Sequence, residues 1–152
     1  MENIIEQFYD AFQNLDAEKM ISLYHPEIVF EDPAFGKLKG KRAENMWRML
    51  CCSQKGKDFR ISYNISHYDH KNAKANWEAF YTFSKTGRKV HNKISASFVM
   101  KEGLIIKHLE DFNLYSWSKQ ALGLKGFLLG NTSFFKNQLN QQTNKLLDDF
   151  DT

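Results

Sequence analysis

His108, Glu110 and Phe112 occupy every second position in a stretch rich in Ile, Leu and Phe. Alternate residues of a β-strand point to the same face, so these three side chains are expected on one face of a strand. An imidazole and a carboxylate at this spacing lie roughly 6–7 Å apart, close enough to contact one substrate or one water molecule. Such a pair has the chemistry of a general acid and a general base.

The same pair also has a purely structural interpretation. Buried charged groups are costly unless they are paired, so a His–Glu pair satisfied by Asn92, Tyr81 or the backbone would be favoured by stability alone. The residue types and their spacing leave both interpretations open.

Asp32 lies between the apolar run Ile28-Val29-Phe30 and Pro33. Asp commonly initiates turns, because its side chain accepts a hydrogen bond from the backbone two residues on. A carboxylate at the edge of an apolar pocket would instead lose hydration, which raises its pKa and suits it to proton transfer. Both roles remain open for Asp32.

Other chemistries find little support. His67 and His70 are expected on opposite faces of a strand end, which predicts a solvated loop and no metal site. Cys51 and Cys52 are adjacent in sequence, a spacing that suits neither a structural disulfide nor zinc ligation, and we expect reduced core thiols. No nucleotide-binding loop or flavin fingerprint occurs, so no cofactor is predicted.

The charge distribution excludes further classes. The net charge of +3 comes from 21 basic and 18 acidic residues scattered along the chain, without the basic run typical of nucleic-acid-binding proteins. No segment approaches the ~20 apolar residues that span a bilayer, and the N-terminus has no signal-peptide pattern. The sequence therefore predicts a cytoplasmic protein without nucleic-acid or membrane partners.

Hydrophobic periodicity predicts the helices and strands that position these side chains. Helical spacing predicts helices over 2–14, 17–24 and 41–53, the second ending at His25-Pro26. A short strand over 28–32 is followed by a loop containing Gly36 and Gly40. Alternation then predicts four strands with short antiparallel connections. These strands are expected over 58–68, 73–84, 88–101 and 104–116.

The tail is predicted to be mostly helical. It has one helical turn over 118–123, an apolar loop over 126–130 and an amphipathic helix over 132–150. Helices followed by a long sheet indicate an α+β fold. We expect a main domain over 1–116 and a helical extension over 117–152 packed on it. The sequence leaves three roles open for this extension: a lid over a pocket, a cover for a second subunit or a part of the core.

Several segments resemble one known superfamily in their order and spacing. They are Phe8-Tyr9-Asp10-Ala11-Phe12, Leu23-Tyr24-His25-Pro26-Glu27, Phe30-Glu31-Asp32-Pro33 and His108-Leu109-Glu110-Asp111. Over residues 4–116 the chain resembles the SnoaL-like and ketosteroid-isomerase-like branch of NTF2-like proteins, and its tail resembles uncharacterised bacterial relatives. The resemblance implies a cone, with helices packed on a strongly curved, mostly antiparallel sheet around an apolar pocket. It also implies a homodimer through the outer sheet face.

The resemblance implies roles for several residues. Asp32 matches the proton-carrying aspartate of ketosteroid isomerases, and Glu110 matches an acidic residue of SnoaL-like cyclases. The two oxyanion donors of the isomerase fall on Phe8 and Ala96, which donate no side-chain hydrogen bond. Tyr9 is expected to point elsewhere, since neighbouring helix positions differ by about 100°. This disfavours steroid isomerisation.

Epoxide hydrolases of the superfamily carry an Asp–Arg–Asp constellation, with two of those residues on the strand corresponding to 90–100. The inward face of that strand is expected to present Asn92, Ile94, Ala96 and Phe98 instead. Epoxide hydrolysis is therefore also disfavoured.

The sequence predicts a cofactor-free acid/base enzyme for a small apolar substrate with a carbonyl or hydroxyl group. Asp32, His108 and Glu110 would carry protons. A binding module without catalysis is the alternative, and a structural dimer whose own rings fill the cavity is a third. The predicted pocket residues are Phe8, Phe12, Trp47, Trp77, Tyr81, Phe83, Asn92, Ala96, Phe98 and Phe112.

Overall fold

A computed structural model describes residues 3–151. The predicted start of the first helix at residue 2 lies outside the described residues. The described residues form six helices and six strands. The helices are α1 Ile4–Gln13, α2 Ala17–Ser22, α3 Lys41–Gln54, α4 Leu114–Leu122, α5 Leu124–Leu129 and α6 Ser133–Asp151. None of these helices has the length and apolar character needed to cross a bilayer.

The strands form one sheet in the order β2-β1-β6-β5-β4-β3, in which β1 and β6 are parallel and the other neighbours antiparallel. The predicted mostly antiparallel sheet after N-terminal helices is therefore confirmed. The strands are β1 Tyr24–Asp32, β2 Gly36–Lys39, β3 Arg60–Tyr68, β4 Asn72–Phe83, β5 Arg88–Lys101 and β6 Leu104–Phe112.

The start of β1 differs from the prediction. The second helix ends at Ser22, and Tyr24 already belongs to the strand. Pro26 is accommodated because the pairing with β6 is irregular between Tyr24 and Val29, where a missing backbone N–H breaks no regular ladder. The predicted loop around Gly36 contains β2, which folds back on β1 through a turn at Asp32.

The space between the helices and the inner sheet face is filled by side chains. Alternate residues of β4, β5 and β6 point towards α1 and α3. Large aromatic side chains dominate this core, and their rings meet mainly edge to face. The fully buried rings are Phe8, Tyr9, Phe12, Phe30, Trp47 and Phe98.

The tail begins earlier than predicted. β6 ends at Phe112, because the Asn113 side chain caps α4 by accepting a hydrogen bond from the Ser116 backbone N–H at 2.9 Å. Beyond the end of β6, α4 lies along β5. There the side-chain oxygen of Gln120 accepts from the His91 backbone N–H at 2.7 Å.

The predicted apolar loop is the short helix α5, which is attached to α4 through its glycines. A Cβ atom at Gly126 would lie 1.9 Å from the Ser118 carbonyl oxygen, and one at Gly130 would lie 1.9 Å from the Ser118 hydroxyl oxygen. Ser118 itself is fully buried. Only glycine permits this close approach between the two helices.

The last helix crosses to the opposite side of the domain. Asn140, Thr143 and Asn144 of α6 donate side-chain hydrogen bonds of 2.8–2.9 Å to the carbonyl oxygens of residues 33–35. Arg42 of α3 pairs with Asp148 at 2.7 Å. The tail therefore reaches from β5 to the β1–β2 turn, while the predicted domain boundary between residues 116 and 117 stays a prediction.

Replacing Gly126 by Ala should detach α5 from α4, because the added methyl group meets the Ser118 backbone and cannot be accommodated by a side-chain movement. Overpacking of this kind costs about 1–3 kcal/mol. Limited proteolysis within 124–130 should accelerate in Gly126→Ala. Lys125→Ala, at an exposed position of the same helix, is the control, and equal cleavage rates in the two variants would contradict the tight approach.

Candidate functional site

The strand pairing brings Asp32, His108 and Glu110 together on the inner face of the sheet. Phe30 pairs with His108 and Glu31 with Leu109 in the parallel β1–β6 ladder. The next inward position of β1 is Asp32, which therefore lies beside Glu110. Three chemically active side chains thus occupy neighbouring inward positions of β1 and β6.

His108 is fully buried and lies in a chain of polar contacts. Its Nδ1 is 2.7 Å from the Tyr24 hydroxyl oxygen, which accepts a hydrogen bond from the Trp47 indole N–H at 2.8 Å. Since indole only donates, the Tyr24 O–H is available to donate to Nδ1. This direction places the imidazole proton on Nε2, the nitrogen that faces Glu110.

Glu110 is held in a nearly dry position. Its side chain is 5% exposed, and its Oε2 accepts a hydrogen bond from the Trp77 indole N–H at 2.7 Å. The same oxygen is 3.3 Å from His108 Nε2, an ion-pair distance whose angles fall outside those of a hydrogen bond. The Glu110 carboxylate is therefore held by one hydrogen bond from Trp77 and by one less directional contact with His108.

Asp32 has both of the roles considered from the sequence. Its Oδ1 accepts from the backbone N–H groups of Ala34 at 3.0 Å and Phe35 at 2.7 Å, which is the turn-forming role. Burial raises the pKa of Asp32 to about 7, and the charge of Glu110 adds to the increase, while the two turn hydrogen bonds oppose it. A carboxyl group with this pKa exchanges protons at neutral pH.

Tyr9 is the residue that sequence reasoning missed. It was expected to point about 100° away from Phe8, and it is fully buried and stacks on Tyr63 with ring centroids 4.9 Å apart. Its hydroxyl has no hydrogen-bond partner within the described residues. Burial raises the pKa of Tyr9 well above its ordinary value, with a further contribution from Glu110. Because α1 buries a wide arc that includes both Phe8 and Tyr9, a position about 100° from Phe8 still faces the interior.

The predicted pocket residues separate into two groups by depth. The deep group consists of Phe8, Phe12, Trp47, Trp77 and Phe98, which pack on one another. The rings of Phe8 and Phe98 also contact His108, at 5.4 Å and 4.3 Å between centroids. The sequence anticipated that the His–Glu pair would be satisfied by Asn92, Tyr81 or the backbone. The partners in the structure are Tyr24 and Trp77.

The second group lies nearer to solvent. Along β6, burial decreases from His108 to the half-buried Phe112. The half-buried Tyr81 and Phe83 and the inward-facing Asn92 lie on the neighbouring strands, and Ala96 pairs with Glu110. We refer to the region of Asp32, Tyr81, Phe83, Asn92 and Phe112 as the mouth of the cone.

The tail borders this mouth on two sides. The Trp117 indole N–H of α4 donates to the Tyr81 hydroxyl oxygen at 2.7 Å, and its ring packs edge to face on Phe83 with centroids 5.5 Å apart. On the other side, α6 holds the turn that follows Asp32. The Asn92 side chain makes no hydrogen bond within residues 3–151.

The structure also has open depressions. One of about 780 Å³ lies mainly over the outer sheet face, where polar side chains such as Asn64, Asn76 and Lys93 line it, and it also borders Trp77 and Phe112. Another of about 250 Å³ lies between α2 and α3 beside Arg48 and Cys52. The predicted homodimer through the outer face stays a prediction. Among the described residues, no group of three or more His, Cys, Asp and Glu side chains is arranged to hold a metal ion.

Replacing Trp77 by Phe should destabilise the protein by about 1–3 kcal/mol, because the buried Glu110 carboxylate loses its indole donor. Trp117→Phe is the matched control. It removes an indole N–H that serves the neutral Tyr81 hydroxyl and should cost about 0.5–1.5 kcal/mol. Urea denaturation at pH 7 compares the two variants. A smaller loss in Trp77→Phe than in Trp117→Phe would contradict the assigned role of Trp77.

The pH dependence of stability should report on Asp32. Its pKa in the folded state, about 7, exceeds the ordinary value of 3.8, so folding favours the protonated form. The contribution of Asp32 to the unfolding free energy is fully present below pH 4. It falls by on the order of 2–4 kcal/mol as the pH rises through 7. Asp32→Asn keeps the turn acceptor and lacks the titration. The difference in unfolding free energy between wild type and Asp32→Asn should therefore change between pH 4 and pH 8, and a constant difference would argue against a raised pKa.

Comparison with known proteins supplies the family. The family model of the SnoaL-like domain matches residues 5–108 of this chain. No curated protein matches the chain in sequence. Three solved structures with the same fold are a candidate polyketide cyclase from Xanthomonas campestris pv. campestris, TerC crystallised with polyporic acid and an epoxide hydrolase of M. tuberculosis described as LEH-like.

The identities and coverages are similar for the three. The cyclase is 16% identical over 77% of this chain and 93% of its own, with a TM-score of 0.63. TerC is 15% identical over 77% and 94%, with a TM-score of 0.65. The epoxide hydrolase is 19% identical over 82% and 92%, with a TM-score of 0.57. At these identities the likeness shows the fold, so the predicted NTF2-like cone is confirmed, and by the family match the chain belongs to the SnoaL-like domain family.

Proposed function

We propose that this protein is a cofactor-free acid/base enzyme acting on a small apolar molecule that bears a carbonyl or hydroxyl group. The observation that carries the proposal is the pair of neighbouring inward carboxyl groups, Asp32 and Glu110, in an interior lined by aromatic rings. Clusters of this type are costly for stability and are typical of sites that transfer protons.

Asp32 is the proposed general base. With a pKa of about 7 it is present in both protonation states at neutral pH, which suits a group that removes and returns a proton. Its position at the mouth is less buried than that of His108, so an entering molecule meets Asp32 first. Glu110 is the second proton carrier, and His108 and Trp77 hold its carboxylate in place.

Tyr9 and Asn92 are the proposed donors to the substrate oxygen. Phe8 and Ala96 donate no side-chain hydrogen bond, whereas the Tyr9 hydroxyl is buried without a partner and the Asn92 amide faces inward without one. In the proposed step, Asp32 takes a proton from the carbon beside the carbonyl. The C–H electron pair moves towards the carbonyl oxygen, which Tyr9 stabilises by donating its O–H.

Solved relatives support the general class. Structures with this fold include a candidate polyketide cyclase, a protein crystallised with polyporic acid and an epoxide hydrolase. These are properties of those proteins, and a shared fold hosts many functions. The carboxyl pair and the unpartnered donors of this chain itself therefore support the proposal.

A binding role without catalysis is the second candidate. It is favoured by the filled interior, because Phe8, Trp47 and Phe98 occupy the depth of the cone and leave the mouth as the place for a ligand. Such a protein would hold an apolar molecule against Tyr81 and Phe112 and return it unchanged.

Proton exchange on a simple ketone separates the two candidates. With 2-tetralone in deuterated buffer, an acid/base enzyme should exchange the protons beside the carbonyl faster than buffer alone, as followed by NMR. The rate should rise with pH through about 7, because Asp32 acts in its ionised form. Glu110→Gln and Asp32→Asn should lower the rate by about 10²-fold or more. Tyr9→Phe should lower it by about 10²-fold.

Glu78→Gln is the control, because Glu78 pairs with His91 on the outer sheet face and should not affect exchange. Binding of 2-tetralone, measured by tryptophan fluorescence, without exchange from pH 5 to pH 9 would replace the enzyme by the binding module. Exchange that persists unchanged in Glu110→Gln would show that this site is not the catalytic one. Absence of both binding and exchange across a panel of cyclic ketones would overturn both candidates.

A further inference from the structure

The tail exposes a cluster of large apolar side chains that nothing in the described residues covers. Their exposed fractions range from 44% to 73%, values that are unusual for Leu and Phe in a packed domain. They lie on α5 and in the first turn of α6, and we refer to them as the apolar patch. The patch consists of Leu124, Phe127, Leu128, Leu129 and Phe134.

The architecture of α5 turns these side chains outward. Leu124, Phe127 and Leu128 have the i, i+3, i+4 spacing of one helix face, whereas Gly126 and Gly130 press against Ser118 of α4. An ordinary amphipathic surface helix buries its apolar face and exposes its polar one. In α5 the glycine face is buried and the apolar face is exposed.

This orientation is held in place by α4. In addition to the glycine contacts, the Tyr115 hydroxyl donates to the Phe127 carbonyl oxygen at 2.9 Å. Glycines flank α5 at both ends. Gly123, directly before its first residue, has a φ of 65°, and this conformation sets the direction of α5 relative to α4. The apolar patch is therefore a fixed surface and not a loosely attached segment.

The charge around the patch indicates what covers it. Residues 113–147 contain four lysines and no Asp or Glu, although the whole chain carries 18 acidic residues. Lys125 lies within α5, and Lys136 lies one turn into α6. An exposed Leu/Phe surface accompanied only by cations is complementary to a partner with negative charge over an apolar layer.

A second copy of the chain fits less well. At about 200 Å² for each whole side chain, the exposed fractions leave roughly 600 Å², below the ~800 Å² per partner of a standard protein interface. Pairing two such patches would also bring two all-cationic segments together. An anionic partner removes that repulsion.

We propose that α5 and the first turn of α6 dock this protein onto an anionic phospholipid surface. Phe127, Leu128 and Phe134 would enter the boundary between headgroups and acyl chains, and Lys125 and Lys136 would contact lipid phosphates. The sequence predicted no membrane partner because no segment can span a bilayer, whereas the contact proposed here is interfacial and requires no spanning segment. The proposal is independent of the catalytic site.

Vesicle sedimentation tests the docking directly. The full chain is mixed with vesicles of neutral phosphatidylcholine, or with vesicles in which about a third of the lipid is phosphatidylglycerol. We expect binding to the anionic vesicles that weakens when salt is raised. The double substitution Phe127→Ser with Leu128→Ser should reduce it at least tenfold. Lys125→Gln with Lys136→Gln should reduce it about 25-fold, at about fivefold for each lysine.

Tyr68→Ser is the matched control, because Tyr68 is 41% exposed on β3 and lies outside the patch. Its binding should equal that of the wild type. The patch variants remove exposed side chains, and their thermal unfolding should confirm that they fold. No sedimentation with anionic vesicles, or sedimentation unaffected by the Phe127/Leu128 substitutions, would overturn the proposal. A concentration-dependent dimer that those substitutions abolish, without vesicle binding, would assign the patch to a second copy of the chain.

Discussion

The inner architecture of this domain depends on one costly feature, the buried carboxylate of Glu110. A charge in an aromatic interior is tolerated only when donors are fixed around it. Trp77 supplies one, and His108 faces the same oxygen. His108 is in turn held by Tyr24, and Tyr24 by Trp47, so one buried carboxylate is connected to four rings on the four elements β4, β6, β1 and α3.

The parallel pairing of β1 with β6 gives this cluster its chemical character. It sets Phe30 beside His108 and thereby brings Asp32 next to Glu110. Burial is the main reason why the pKa of Asp32 lies near 7, and the neighbouring charge of Glu110 adds to the increase, although the turn hydrogen bonds of Asp32 act in the other direction. The residue thus combines a local structural role with a protonation equilibrium poised at neutral pH.

The sequence predicted the features that depend on period and local propensity. Alternation was sufficient to place His108 and Glu110 on one face. The aromatic content suggested a pocket lined by rings, whereas in the structure the deepest of these rings pack on one another. The sequence could not identify the partners of His108 and Glu110, because Tyr24 belongs to β1 through a long-range, irregular pairing that a local helical stripe conceals. Tyr9 was missed for a related reason, since the arc of α1 that is buried depends on the curvature of the sheet above it.

The tail shows the same limit of prediction from local sequence, and its packing has a consequence for function. The sequence predicted an apolar loop over 126–130 because glycines lie at both of its ends, yet those glycines are what allow α5 to lie against α4. Through Trp117, α4 also contacts Tyr81 at the mouth. The helix α4 therefore contacts both the mouth, through Trp117, and the helix α5 that bears the apolar patch. Docking of α5 on a lipid surface would bring the mouth close to an apolar phase, from which an apolar substrate would reach Asp32 without first dissolving in water.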